Sequence, residues 1–422
     1  MAKSRFFSKM ARHQKLWYGK WHVWMGIFAG SILIIVSMTG SLLVFEQELD
    51  TWLNPELFDF EIGTEKLSYQ QVVEKVKLAH PDWELKSIFL MPDRNDAYQL
   101  IYSDDFRQAI INPYTGEVTG TRIYGKSAMG VIRDLHRTLL IPTIGRYIVG
   151  FASIFMVILM ITGLRLWIPK HWSRLKEKLT IKKGASFKRQ NYDLHQSMGF
   201  YFSPFISLIS LTGVAITFSP LVILALFLVS FEPPKSVDEI LGVPSTYQAE
   251  VPPISIDDAA RLAMKEVPAG KVMGMSFPAD SVATYAVNMI SPGKSKTGNF
   301  NIINLDQYSG KVLLNLDDLP NIGKAYVNWV TPIHYGTFGG LTTRIIALIT
   351  TLMVPILFVS GFIIWWQRWK KQKKLADKPA LAAEPIKIKK PANRPKVRPE
   401  LSNSSPTVVN HGPILFITAA QK

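Results

Sequence analysis

The chain has 422 residues and a formal net charge of +16, with 48% hydrophobic and only 19% charged residues. A soluble chain carries nearer a quarter charged, so the deficit points to lipid rather than nucleic acid. Cysteine is absent, which excludes disulfides, zinc knuckles, thiolate catalysis, iron–sulfur ligation and covalent C-x-x-C-H haem attachment.

A basic N-terminal segment, 1–20, holds Lys3, Arg5, Lys9, Arg12, Lys15 and Lys20. The apolar run over 21–46 that follows is too long for a signal peptide and lacks a small-residue cleavage site, so it is predicted to stay as a first transmembrane helix. Charge-poor runs from Tyr147 to Leu164, Tyr192 to Phe231 (interrupted by Asp193) and Ile345 to Gln367 predict three more. Within the third, 193–231, Ser203-Pro204 and Ser219-Pro220 predict a kink or a stop near Ser219, with Leu221 to Phe231 along the outer interface. The loop 169–192 is strongly basic, and so is the start of the tail 368–422 (Arg368, Lys370, Lys371). The positive-inside rule then puts both termini and that loop in the cytoplasm, and the long loops 47–145 and 232–343 outside or in the periplasm. The Pro- and Lys-rich stretch 378–399 reads as a disordered extension.

Two fixed offsets relate the halves of the chain. At 173, His22-x-x-Met25-Gly26 matches His195-x-x-Met198-Gly199, Ser37-x-Thr39-Gly40 matches Ser210-x-Thr212-Gly213, and Phe45 matches Phe218. At 198, His136, Arg146, Gly163 and Trp167 match His334, Arg344, Gly361 and Trp365. Such spacing indicates one unit used twice. The long loops repeat as well. Ser68 and Ser255 are placed to cap helices, Ala97–Tyr102 and Thr284–Met289 alternate like half-buried strands, and Gly116 and Gly310 suit the closing turns.

On these motifs the chain resembles the PepSY-associated transmembrane family, iron-regulated membrane proteins that include ferric-siderophore reductases of the bacterial inner membrane. The likeness covers roughly residues 14–370. It implies an α-helical membrane protein with four transmembrane helices as two helix–loop–helix repeats, each large periplasmic loop carrying a small α+β PepSY domain. The units fall at 62–125 and 250–315, and the outer histidine segments with their helices at 130–168 and 329–367.

Four of the eight histidines sit at span ends in matched pairs, His22 with His195 and His136 with His334. Two imidazoles at one depth suit the two axial positions of haem b, so two haems are expected. A bare ion would want three or four ligands, and neither pair has a carboxylate or thiol motif beside it. Gly26 and Gly199 could let a flat macrocycle approach the backbone. Lys15, Lys20, Lys188 and Arg189 near the inner pair, and Arg133, Arg137, Arg146 and Arg344 near the outer pair, are candidates for its propionates. Arg146 and Arg344 also suit the point where a helix leaves the hydrocarbon. Met25 and Met198 read as packing, and His13, His80, His171 and His411 as surface residues. Thr39-Gly40 and Thr212-Gly213 read as small-residue helix contacts.

The function expected from the resemblance is reduction of ferric iron, as a ferric siderophore or other ferric chelate, on the periplasmic side. Trp329, Tyr335 and Phe338 could floor a docking surface or form a membrane-interface belt. No dinucleotide, phosphate-loop or flavin motif is present, so the donor would be quinol, a reduced flavin or a partner reductase. The alternative is a haem-free PepSY anchor that binds or modulates an extracytoplasmic protease or envelope partner. A transporter fits less well, since the apolar runs hold no acidic residue apart from Glu46 at the end of the first and Asp193 at the edge of the third, and no paired breaks.

Overall fold

The computed structural model describes residues 2–103, 107–169, 171–230, 243–291, 300–318 and 321–376. The side chains of 2–16, 300, 321–325, 327, 375 and 376 are not described. The tail readings at 378–399 and beyond therefore lie outside the described residues. A second unit begins at Lys371, and of it the structure describes only the helical residues 371–376.

Among the described residues four helices are long and apolar enough to cross a bilayer: α1 (Ala2–Leu43), α5 (Ile144–Trp167), α7 (Phe187–Thr217) and α11 (Gly340–Ala376). Between them lie α2 (Glu46–Leu53), α3 (Tyr69–Ala79), α4 (Ala128–Thr138), α6 (Leu175–Leu179), α8 (Ser219–Ser230), α9 (Ile256–Glu266) and α10 (Asn321–Tyr335). The basic N-terminal residues continue α1 instead of forming a separate segment. Within the run 193–231 the span ends at Thr217, the stop expected near Ser219. Phe218 breaks the helix with φ −106° and ψ 34°, and Pro220, with no N–H to give, then fits the first turn of α8.

α5 packs closely on both α1 and α7. An apolar core of Ala29, Leu33, Ala152, Met156, Leu159, Ile206, Val354 and Leu357 fills the bundle. Small residues set these approaches: the Phe358 ring sits where a side chain on Gly30 would go.

Outside the spans, eight strands form one antiparallel sheet: β1 (Leu85–Met91), β2 (Ala97–Tyr102), β3 (Arg107–Ile111), β4 (Val118–Ile123), β5 (Lys271–Ser276), β6 (Thr284–Ile290), β7 (Phe300–Asp306) and β8 (Val312–Asn315). Their order is β4-β3-β2-β1-β5-β6-β7-β8. The sequence treats the two loops as separate units. In the structure they share one sheet, sewn at β1–β5 by the pairs Ser87–Ser276, Ile88–Met275 and Phe89–Gly274. Gly274 makes the seam possible: its φ is +148°, and a Cβ there would lie 2.4 Å from the Ile88 carbonyl.

One core runs under the seam. Val72 and Val76 of α3 and Ala259 and Ala263 of α9 cover Ile88, Leu100, Met275, Val287, Ile303 and Leu305. Ser68 and Ser255 cap their helices through Gln71 N–H and Asp258 N–H. The two helix starts also exchange bonds: Gln70 N–H donates to Asp257 Oδ1 (3.1 Å) and Ile256 N–H donates to Gln70 Oε1 (3.1 Å).

The sheet is tied to the first span by charge. Asp50 of α2 is 1% exposed, accepts two bonds from Arg122 of β4 (both 2.8 Å) and pairs with Arg94 (2.8 Å). Next to it Glu46 receives Arg133 and the Tyr124 hydroxyl.

Candidate functional site

Each of the four matched histidines lies half-buried on a helix that faces another helix. Their rings meet in two pairs. The His22 and His195 centroids are 6.3 Å apart, and those of His136 and His334 are 6.2 Å apart. The chain thus brings together the partners that the offsets match, one from each half.

Every ring is held the same way. His22 Nδ1 bonds Thr162 Oγ1 (3.0 Å) on α5, and His195 Nδ1 bonds Ser360 Oγ (2.9 Å) on α11. Those hydroxyls already donate to carbonyls of their own helices, Ile158 and Leu357, so the imidazole is the donor. His136 Nδ1–H donates to the Val36 carbonyl (2.8 Å) beside Thr39 on α1, and His334 Nδ1–H to the Ile209 carbonyl (3.1 Å) beside Thr212 on α7. A carbonyl can only accept, so Nδ1 carries the proton and Nε2 keeps its lone pair. That is the tautomer a metal-ligating histidine needs.

The residue after each hydroxyl is glycine, and there the ring edge rests. A Cβ on Gly163 would lie 3.2 Å from His22 Cε1, on Gly361 3.0 Å from His195, on Gly40 2.9 Å from His136, and on Gly213 3.2 Å from His334. Thr39-Gly40 and Thr212-Gly213, read from sequence as helix contacts, are therefore seats for the sheet-side histidines. Sequence reasoning missed Thr162 and Ser360. The signal was present: a Thr-Gly or Ser-Gly dipeptide occurs in each spanning segment and meets a histidine.

Along α1, His22 and Thr39 are separated by 17 residues, and His195 and Thr212 likewise on α7. At 1.5 Å per residue the two pairs lie about 26 Å apart along the bundle. The apolar core around Met156 and Leu33 occupies the interval.

The other predicted residues fall as follows. Gly26 and Gly199 leave ordinary contact distance to Leu159 (3.7 Å) and Leu357 (3.8 Å). Arg344 donates to the Val44 carbonyl (2.8 Å) at the end of α1 and grips Glu48 with both terminal nitrogens (2.6 and 2.7 Å). Arg146 donates to the Ile216 and Thr217 carbonyls (3.3 and 3.2 Å) at the end of α7. Both arginines are thus engaged at helix C-termini. Arg189 pairs with the buried Asp193 (2.9 Å). Met25 and Met198 pack against the bundle core, and His80 stacks on Trp83 at 3.9 Å outside the bundle.

The pair geometry can be tested against a shared metal. Bonds from imidazole nitrogen to a metal run about 2.0–2.1 Å. With the ring centre about 1.1 Å behind the nitrogen, two axial rings on one ion have centroids about 6.3 Å apart. Both observed separations leave room for one ion between the rings. Among the described residues no group of three or more His, Cys, Asp or Glu could hold a metal ion.

The sequence matches the family model for the PepSY-associated TM region over residues 20–368. The chain belongs to this family. It is a multi-pass membrane protein, with lipid around the four spans. No curated protein matches it.

Proposed function

We propose that this PepSY-associated protein is an inner-membrane electron-transfer protein with two haem b groups, one held by His22 and His195 and one by His136 and His334. It would act as a ferric-chelate reductase, with a ferric siderophore as the expected substrate. The observation that carries this reading is the two ring separations, 6.3 and 6.2 Å, with every Nδ1 committed to a neighbouring helix.

Haem held by these four histidines would supply a one-electron carrier suited to outer-sphere transfer. The protein's own groups do the rest. Thr162, Ser360 and the Val36 and Ile209 carbonyls fix the tautomer and orientation of the ligands. The core of Leu33, Met156 and Val354 keeps water from the space between the pairs. The donor would be quinol, a reduced flavin or a partner reductase, and the acceptor Fe(III), whose one-electron reduction to Fe(II) would loosen the hold of hard oxygen donors.

The two matched halves are read as copies of one helix–loop–helix unit, each contributing a PepSY half to the common sheet. By the positive-inside rule the basic segments favour cytoplasmic termini, with the sheet in the periplasm. There the sheet would shape the docking surface above His136 and His334.

The test is an absorption spectrum with haem stoichiometry on the purified protein. Two haems per chain are expected, with a sharp low-spin Soret band that falls by half in His22→Ala and by half in His136→Ala. Pre-reduced protein mixed with a ferric siderophore should reoxidise. A colourless preparation after expression with ample haem would overturn the reading in favour of a haem-free anchor for an envelope partner.

A further inference from the structure

The two helix ends on the sheet side of the membrane are built alike up to one point and then diverge. α1 and α7 both break at a phenylalanine with ψ 34°, Phe45 and Phe218. Each broken end is capped by an arginine from another span, Arg344 on Val44 and Arg146 on Thr217. Val44 and Thr217 are themselves matched at the offset of 173.

Beyond the break the chemistry differs. α2 carries Glu46, Glu48 and Asp50, and Glu48 neutralises Arg344. Burial works against the Glu48 charge, but its hydrogen bond to Arg344 is the larger influence and holds the carboxyl below its usual range. The matching positions in α8 are Ser219, Leu221 and Ile223. At the position that Glu48 holds on α2, α8 therefore carries a leucine. Arg146 is exposed, one terminal nitrogen makes both of its carbonyl bonds, and among the described residues no carboxylate pairs with it.

α8 is apolar from Leu221 to Val229, and Leu221, Leu228 and Val229 are 62–73% exposed. It follows directly on a span that is itself surrounded by lipid. A cation with no carboxylate partner among the described residues, beside an exposed apolar helix at the rim of the hydrocarbon, has a chemistry that complements an anionic phospholipid.

We propose that Arg146 and α8 form a site for one anionic phospholipid, its phosphate on the Arg146 guanidinium and its acyl chains along Leu221, Leu224 and Leu228. The site replaces, in the second half of the chain, the internal ion pair that Glu48 and Arg344 make in the first. It does not depend on haem.

The experiment is native mass spectrometry of the full chain released from nanodiscs of phosphatidylglycerol or of phosphatidylcholine. The wild-type protein should retain one phosphatidylglycerol in preference to phosphatidylcholine. Arg146→Gln should weaken retention about fivefold, the factor for one basic group at an anionic surface. Leu221→Glu, which supplies the missing carboxylate, should do the same with Arg146 in place, while Val229→Ser, away from the cation, should keep the preference for the anionic headgroup. Thermal unfolding of each variant in lipid-free detergent checks that it is folded. Equal retention of both lipids by the wild type, or undiminished retention in folded Arg146→Gln and Leu221→Glu, overturns the proposal. So does displacement of the lipid's role by inorganic phosphate alone.

Discussion

The ring of His136 rests edge-on against Gly40, so close that a methyl group on that glycine would lie 2.9 Å from Cε1. The same contact, at 3.0–3.2 Å, recurs at His22, His195 and His334. These glycines act by absence: each leaves the space in which an imidazole can touch a helix backbone and still reach a hydroxyl or carbonyl acceptor with Nδ1.

Gly40→Ala should therefore push His136 off its seat. Overpacking of this kind costs about 1–3 kcal/mol. The expected outcome is a lower unfolding temperature and, in the holoprotein, loss of the sheet-side half of the Soret band with the His22 half retained. Gly26→Ala, which meets only ordinary contacts, should leave the protein's thermal stability unchanged.

Replacing Thr162 with Val and Ser360 with Ala removes the hydroxyl acceptors of the first pair without touching the ligands. Losses of outer-shell partners typically cost 10–100-fold in metal affinity. Haem competition measurements should show at least about tenfold weaker binding at His22/His195, and its midpoint potential should move while that of the other pair stays.

Asp50 binds two arginines in a buried setting, and removing one member of such a cluster costs about 3–5 kcal/mol. Asp50→Ala should lower thermal stability by that order, whereas Glu48→Gln at the exposed rim should change it little. Differential scanning calorimetry of the detergent-solubilised protein distinguishes the two.

Asp306 closes the turn between β7 and β8. Burial pushes its carboxyl up, but N–H groups of Ser309, Thr246 and Tyr308 together outweigh burial and hold it below the usual range. A carboxylate depressed below its unfolded value of about 3.9 stabilises the fold above that pH and loses its contribution as pH falls through the folded value. Asp306→Asn should thus flatten the acid limb of stability against pH. A limb as steep as in the wild type would remove Asp306 as a cause.

The spans were legible because a run without charge long enough to cross a bilayer has few other uses, and strands β2 and β6 were legible from strict alternation. The histidine partners were legible because the offsets pair them. The seam was not: nothing local marks β1 and β5 as neighbours, and Gly274 looks like any strand glycine until the Ile88 carbonyl is seen against it. Thr162 and Ser360 were hidden for another reason. A hydroxyl in a helix ordinarily bonds its own backbone, and both do, so their second role appears only when the imidazole arrives from another helix. Phe218 was half legible, since Pro220 marked the place and not whether the helix would bend or stop.

His22 is pinned to α5 and His136 to α1, all within the first half of the chain. His195 is pinned to α11 and His334 to α7, all within the second. The dividing line between the halves therefore passes through both imidazole gaps, and the three-rung β1–β5 ladder is crossed by the same line. A tilt of one half against the other would widen or narrow both gaps together and be felt at Gly274. Anything that grips the sheet across that ladder gains leverage on two sites buried below it.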